Sequence, residues 1–489
     1  MSSLYRASGL GPAKREATRF ISSIEADNYL FESVVQINQA HVLMLRQRGI
    51  ITARDARKIL KALTQLRDMP RSSEAEDVHV AIEEAVVKRA DKSAGGNLQL
   101  AKSRNDQVAT AIRMRLRGEV LQIIDLLVDL LAALQTIIRK HHQTVMIGRT
   151  HLQPAEPITY SHYLMAFHDA ISRDLNRLEE FYARLNLSPM GACALAGTSF
   201  AIDRNFVAGL LGFDGLVENS LDAVGSRDFA LEFLAAMTQL AVDISRLAED
   251  FVFYMTPEID QLQLPNDLSF TSSIMPQKKN PDIIELVRAK CAVPIGAFSQ
   301  TATILHSLPT SYNLDLQEIT PNLWVSSVAM QEVATILRTL VSRIKVREIG
   351  NHRADLAMIT ATEIANLLVT DVGVPFRVAH QIVASAAREF SESGSEDADS
   401  WLDLVFHKAQ IAAGDRSKNL RVKLAQVGNP SLVVVRKRSL GSTAPRETLR
   451  LLKMRTASLR RTINRQHSRR SRLVLANSRL RRRILQLSE

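Results

Sequence analysis

The sequence predicts an all-α protein. Apolar residues return every three or four positions through most of the chain, and strict period-two alternation is almost absent. Composition agrees, with only 20 Gly and 15 Pro among 489 residues and aromatics at 5%. Apolar residues at 46% and charged residues at 23% are ordinary for a globular protein, and the length suffices for one large core or several domains. No uncharged apolar run reaches the 18 residues of a membrane span. The opening "MSSLYRASGLGPAKREATRF" has basic residues without an apolar segment behind them, so no secretory signal is expected. Two cysteines, Cys193 and Cys291, cannot make a disulfide framework; flanked by small or apolar residues, they read as reduced, buried thiols of a cytoplasmic protein.

Taken in order, the chain before Asn97 reads as shorter helices. "GIITARDARKILKAL" (49–63) offers Thr52 as N-cap with Asp55 three residues on. From Val108 a stripe runs through Ile112, Leu116, Val120, Ile124, Leu127, Leu131, Leu134 and Ile138, predicting one amphipathic helix of about 30 residues. Similar patterns over 159–186, 227–256 and 281–308 predict long antiparallel helices packed side by side. "SEDADSWLDLVF" opens another short helix near 400, and "SLVVVRKR" (431–438) is the best strand candidate. The expected division is three helical domains, 1–100, 101–345 (a central long-helix bundle with the polar clusters) and 346–445, followed by a basic extension, 446–489, disordered or helical.

The formal charge of +11 belongs to that extension. Residues 446–489 carry 14 Lys or Arg against 2 Glu, leaving a net charge of −1 on the rest. A solvated or poorly ordered extension is the plainer expectation; nucleic acid, anionic lipid or an acidic protein is the alternative partner. Leu459, Ile463, Leu473 and Leu480 hint at a helical stripe, and no aromatic is interleaved for base stacking. On this reading, deletion after Pro445 leaves catalysis nearly intact.

Three segments break the helical pattern with groups foreign to a core. In "AKSRNDQVATAIR" (101–113), Asn105 or Asp106 could simply cap the longest helix, but Arg104 opposes the macrodipole there and suits an anionic ligand. In "IGRTHLQPAEPITYSH" (147–162), Thr150, His151 and Gln153 precede what reads as a Pro-bounded helix start, and His151 is a candidate general acid. In "SFTSSIMPQKKNPDIIELVRAK" (269–290), Ser272 and Ser273 lie in a loop, Lys278 and Asn280 follow a Met275–Pro276 turn, Pro281 suits the first helical position, and Glu285 projects one turn in. A surface lysine loop would be the bland reading of "KK"; the density of hydroxyl, ammonium and carboxamide donors points to a loop that holds negative charge.

These segments, in this order, resemble the fumarase/aspartase superfamily, whose signature loop GSSxMPxKxN is met here by "TSSIMPQKKN" at every position but the first. "SSIMPQKKNPD", "SRNDQVAT" (103–110), "THLQ" (150–153), "ALAGT" (194–198), "NSLDAV" (219–224), "YNLDLQE" (312–318) and "GVPFR" (373–377) are similar to the argininosuccinate lyase family specifically, across about residues 20–445. The resemblance implies a homotetramer with a twenty-helix central bundle, active sites shared between three subunits, and no metal or organic cofactor. It implies the reversible cleavage of argininosuccinate to arginine and fumarate through a carbanion, with no role for a membrane. Ser272 would be the base, Lys278 and Asn280 would stabilise the aci-carboxylate, and His151, oriented by Glu285, would hold the proton-donating side with Thr150. Whether His151 itself protonates the leaving nitrogen is left open. Substrate contacts implied are Ser23, Asp27, Arg104, Asn105, Thr150, Tyr312 and Gln317.

The chain departs from the family at Gln99–Leu100, where His-Thr is frequent, at Thr320, where many members have lysine, at Glu156 for Gln and at Thr271 for the loop glycine. Thr320 would remove a charge contact to substrate, and Thr271 would stiffen the loop. The rival readings are another fumarate-releasing lyase, such as one acting on adenylosuccinate, and a non-catalytic structural relative like the delta-crystallins; retention of Ser272, Lys278, Asn280, His151 and Glu285 argues for an enzyme.

Overall fold

The computed structural model describes residues 14–69, 75–347, 358–395, 397–413 and 419–488. Its first thirteen residues, on which much of the signal-peptide reading rests, lie outside that range. The described chain is mostly helical, as expected. The N-terminal part holds α1 (Phe31–Gln47), α2 (Ala53–Thr64) and α3 (Val78–Ala90). Thr52 caps α2: its hydroxyl accepts from the Asp55 backbone N–H and donates to the Asp55 carboxylate. The bundle follows with α4 (Arg104–Lys140), α5 (Tyr160–Leu185), α6 (Arg204–Leu211), α7 (Asp228–Tyr254), α8 (Asp282–Lys290), α9 (Ala292–Leu305) and α10 (Thr320–Arg343). α4, 37 residues and about 55 Å long, packs against α5 and α10, and α7 packs on α5, α8, α9 and α10. By length and composition α4 could cross a membrane, but more than half of its apolar window is already buried inside the protein.

The pattern over 281–308 is two helices instead of one. Pro294 cannot donate to the Lys290 carbonyl and its ring crowds that group, so the helix breaks at Cys291. A second, separate hydrophobic core forms around Leu368, Phe390, Trp401 and Leu424, under α11 (Phe376–Ser393), α12 (Ala398–Ala413) and α13 (Leu420–Gly428). The expected strand at 431–438 is a helix, α14 (Pro430–Arg436). Asn429 caps it by accepting from the Ser431 N–H, Pro430 sits in its first turn, and Val433 and Val434 are buried on one side.

The basic extension is neither solvated throughout nor poorly ordered where described. It is α15 (Pro445–Ser488), one 44-residue helix lying along α4, α6, α1 and α2. Leu452, Leu459, Leu480 and Ile484 enter the main core. Its inward arginines meet carboxylates distant in sequence: Arg455 grips Asp169 with two bonds of 2.8 Å, Arg465 reaches Glu179, Arg470 Asp125 and Arg472 Asp214.

Strands are few and short. The longest pair is a hairpin, β1 (Val145–Thr150) with β2 (Gln153–Thr159). A two-residue pairing of Phe270–Thr271 with Lys279–Asn280 closes the base of the polar loop. Both cysteines are free and buried.

Candidate active site

The N-terminus of α4 is built by a complete capping box. Ser103 is the N-cap and its hydroxyl accepts from the Asn105 N–H at 3.3 Å, while Asp106 reaches back to the Ser103 N–H at 3.0 Å. The second Asp106 oxygen accepts from the N–H groups of Gly191 (3.0 Å) and Cys193 (2.8 Å). Burial pushes its carboxyl up to about 6, against the pull of those backbone donors. The carboxylate thus ties the SRND segment to Gly191 and Cys193, just before the ALAGT segment, which the Asn105 amide reaches by donating to the Ala194 carbonyl at 3.0 Å.

Arg104 does not stand free for an anion within this chain. Its Nη1 donates to Glu76 at 2.6 Å and Asp77 at 2.7 Å. Asp77 also caps α3 through the Val80 N–H. Beside them Ser23 donates to Asp27 at 2.7 Å, and Asp27 accepts from the Val78 N–H. Burial, with a smaller push from Asp77, lifts the Asp27 carboxyl to about 6. Tyr312 feels the charges of Arg227, Arg104, Asp77 and Asp27, and burial raises its phenol above the ordinary value. Gln317 donates to the Ile21 carbonyl at 3.1 Å. Ser23, Asp27, Arg104, Asn105, Tyr312 and Gln317 therefore belong to one connected polar region.

Three members of that region were not singled out from sequence. Glu76 and Asp77 hold Arg104. Arg227, only 2% exposed, donates from Nη1 to the Val224 and Ser226 carbonyls while Nε and Nη2 have no hydrogen-bond partner among the described residues. Desolvation lowers its pKa to about 10. The signal was present as a charged pair, Arg227–Asp228, two residues after NSLDAV and immediately before the apolar run of α7.

Thr150 and His151 occupy the hairpin, not a helix start; α5 begins at Tyr160 with Thr159 as its cap. His151 and Leu152 form the two-residue turn with φ of +53° and +60°, the sign pattern of a type I′ turn without its usual glycine. Arg149 closes the turn by donating to the Leu152 carbonyl at 2.9 Å. A β-bulge between Gly148 and Arg149 bends the ribbon; a Cβ on Gly148 would stand 2.9 Å from the Glu156 carbonyl oxygen. Glu156, one of the departures, pairs with Lys437 at 2.7 Å, and Lys437 also holds Glu363 at 2.6 Å, bracing the hairpin against the C-terminal segment.

In the polar loop, the Ser272 hydroxyl oxygen accepts two backbone donors, Ile274 N–H at 3.3 Å and Met275 N–H at 3.1 Å. Lys278 N–H donates to the Met275 carbonyl at 3.1 Å, a β-turn with Pro276 in its second position. Thr271 is an extended strand residue without positive φ, so the backbone there does not require glycine. Pro281 is the N-cap, one position before the first residue of α8. Lys278, Glu285, Thr150 and His151 are exposed, Ser272 and Asn280 partly so. Within one chain no hydrogen bond or ion pair links His151 to Glu285 or to Ser272 among the described residues. Thr320 is 5% exposed, buried at the start of α10, and Gln99 is bonded to Glu83 and Gln107.

A cavity of about 570 Å³, lined by Tyr29, Val293, Trp324, Val325 and Val328 and reached by Glu25 and Ala26 from the Ser23–Asp27 segment, contains none of the expected site residues in its lining. Among the described residues no cluster of His, Cys, Asp and Glu could hold a metal ion.

A family model described as lyase matches residues 15–296, and one described as argininosuccinate lyase C-terminal matches residues 358–409. An argininosuccinate lyase of Methanosarcina barkeri is 39% identical over 471 residues, 95% of either chain. One of Methanothrix thermoacetophila is 41% identical over 480 residues, 98% of either chain. The crystal structure of EDDS lyase in complex with formate is similar with TM-score 0.85 and 28% identity, over 100% of this chain and 99% of that one. A class II fumarase from Schistosoma mansoni shares the fold, with TM-score 0.66 at 17% identity over 85% of this chain and 91% of that one.

Proposed function

We propose a mechanism from the premise that the chain belongs to the argininosuccinate lyase family and is a carbon–nitrogen lyase, splitting argininosuccinate into arginine and fumarate. The observation that carries the mechanism is the pair of backbone N–H groups aimed at Ser272 Oγ. A serine hydroxyl is a poor base in water. Two fixed donors favour its alkoxide form, and closure of the loop over substrate would remove the competing solvent.

Ser272 takes the proton beside the carboxylate of the succinyl half. The electron pair left behind spreads into that carboxylate as a doubly negative aci-carboxylate, which Lys278 and Asn280 meet with an ammonium and a carboxamide. Collapse of this species forms the fumarate double bond and breaks the carbon–nitrogen bond. The departing guanidino nitrogen takes up a proton on the side of Thr150 and His151, with Glu285 orienting the imidazole. Ser23, Asp27, Arg104, Asn105, Tyr312 and Gln317 bind the substrate. Asp27, Asp77 and Glu76 make part of that region acidic, which suits the guanidinium of the arginine half.

The catalytic segments meet between subunits of a homotetramer. Two features support this: the hairpin and the loop are left open within one chain, and the bundle exposes apolar residues Ile295, Val325 and Val328 beside the 570 Å³ cavity. Ser272→Ala is the direct test: fumarate release is lost while the assembly stays intact by light scattering, and wild-type turnover would remove Ser272 from the mechanism. Mixing Ser272→Ala with His151→Asn chains tests the shared site. Activity returns in mixed assemblies if the two residues reach one site from different chains; two mutually inert variants place them in one chain.

A further inference from the structure

α15 carries two populations of cations. The inward arginines are neutralised: Arg455, Arg465, Arg470 and Arg472 each face a carboxylate of α4, α5 or the segment following α6. A second set, Lys453, Arg460, Arg461, Arg479, Arg481 and Arg482, is exposed, and among the described residues none of the six has an ion pair. No acidic residue occurs between Glu447 and Glu489, so nothing on the helix itself offsets them. We propose that this outer face of α15 is a docking surface for the phosphate backbone of a nucleic-acid duplex, bound without regard to base sequence.

Three features select that occupant. The helix is about 66 Å long, and the outer face of a single helix is convex and so ill suited to enclose a peptide. Five of the six cations, the arginines, fall into two clusters, at 460–461 and 479–482, about 30 Å apart along the axis, with Lys453 two turns before the first. One turn of a duplex returns the same phosphates to one side every 34 Å or so, which matches that spacing. Arginine, five of the six, presents a planar fork suited to phosphate oxygens, and no aromatic is present to stack on unpaired bases. A lipid surface fits poorly, because Leu452, Leu459, Leu480 and Ile484, the apolar face an interfacial helix would insert, are already buried in the protein.

The experiment uses the full-length protein and a fluorescein-labelled DNA duplex two turns long, read by anisotropy across a salt series. Six phosphate contacts give a slope of log affinity against log salt of about −5. Replacing all six cations by Gln lowers affinity at low salt at least tenfold and brings the slope close to zero, with fumarate release unchanged because none of the six belongs to the catalytic machinery. Replacing the five arginines by Lys keeps the slope. The proposal is overturned if the unmodified protein fails to bind the duplex, if the Gln variant binds as before, or if anionic vesicles or polyglutamate bind while the duplex does not.

Discussion

The cap region of α4 and the loop–hairpin pair differ in completeness. Around Ser103–Asp106 the polar side chains already have partners inside one chain: Asp106 collects three backbone N–H groups and Arg104 is clamped by Glu76 and Asp77. The loop and hairpin, by contrast, leave Lys278, Glu285, Thr150 and His151 exposed, and the hairpin turn is held with two residues at positive φ. Under the proposed mechanism the difference separates two tasks. Groups that recognise a substrate can be fixed as the chain folds, whereas groups that move protons need water excluded at the moment of reaction, which an open loop and a neighbouring surface can provide.

That contrast can be broken from its most deeply built part outward. Deleting α15 removes Leu452, Leu459, Leu480 and Ile484 from the core, roughly 6–12 kcal/mol at the usual value per buried side chain. This equals the whole stability of a typical domain, so the truncated chain fails to give soluble, folded protein, contrary to the expectation that the extension is dispensable. Refoldable, active protein lacking α15 would refute the role of that helix in the core. Ser272→Ala lowers kcat about a thousandfold, near 4 kcal/mol in the barrier, without shifting the thermal midpoint, because its partners are two loop N–H groups open to water. Asp106→Ala does the reverse. It leaves three N–H groups without an acceptor and destabilises the fold by about 3 kcal/mol in urea unfolding, with activity falling only as the cap frays.

A pH series sharpens the comparison further. Asp27 takes its proton near 6 in the folded chain but near 3.8 when unfolded, so the folded state holds the extra proton between those values. Its contribution therefore weakens as pH rises from about 4 to about 6, by roughly 2 kcal/mol. The stability difference between wild type and Asp27→Asn carries this dependence; a flat difference means that the carboxyl is not buried in solution. The smallest effect is at the hairpin. Leu152→Gly relieves a left-handed leucine and raises stability by under about 1 kcal/mol, since glycine gains freedom in the unfolded chain. A drop of more than 1 kcal/mol would mean that the leucine side chain anchors the turn.

Much of this was legible beforehand, for local reasons. The stripe from Val108 to Ile138 and the Thr52–Asp55 cap concern residues within one or two turns of each other, and the structure forms both. The hairpin was hidden by Pro154 and Pro157, which read as a break; a two-stranded ribbon has two free edges and tolerates them. "SLVVVRKR" was drawn toward a strand by its β-branched run, while Asn429 and Pro430 just before it were the stronger signal, a helix start.

The sequence by itself determined the helical class, the position of α4, α5 and α7 and which polar segments interrupt the helical pattern, because periodicity and capping act over a few residues. Only the tertiary structure decided that α15 is a packed helix, that Arg104 faces Glu76 and Asp77, and that Lys437 braces the hairpin. Each of these depends on charges brought together from 27 to 345 positions away. No pattern along the chain encodes such a pairing, since the energy of an ion pair depends on distance in space and on the water that the fold has removed from between.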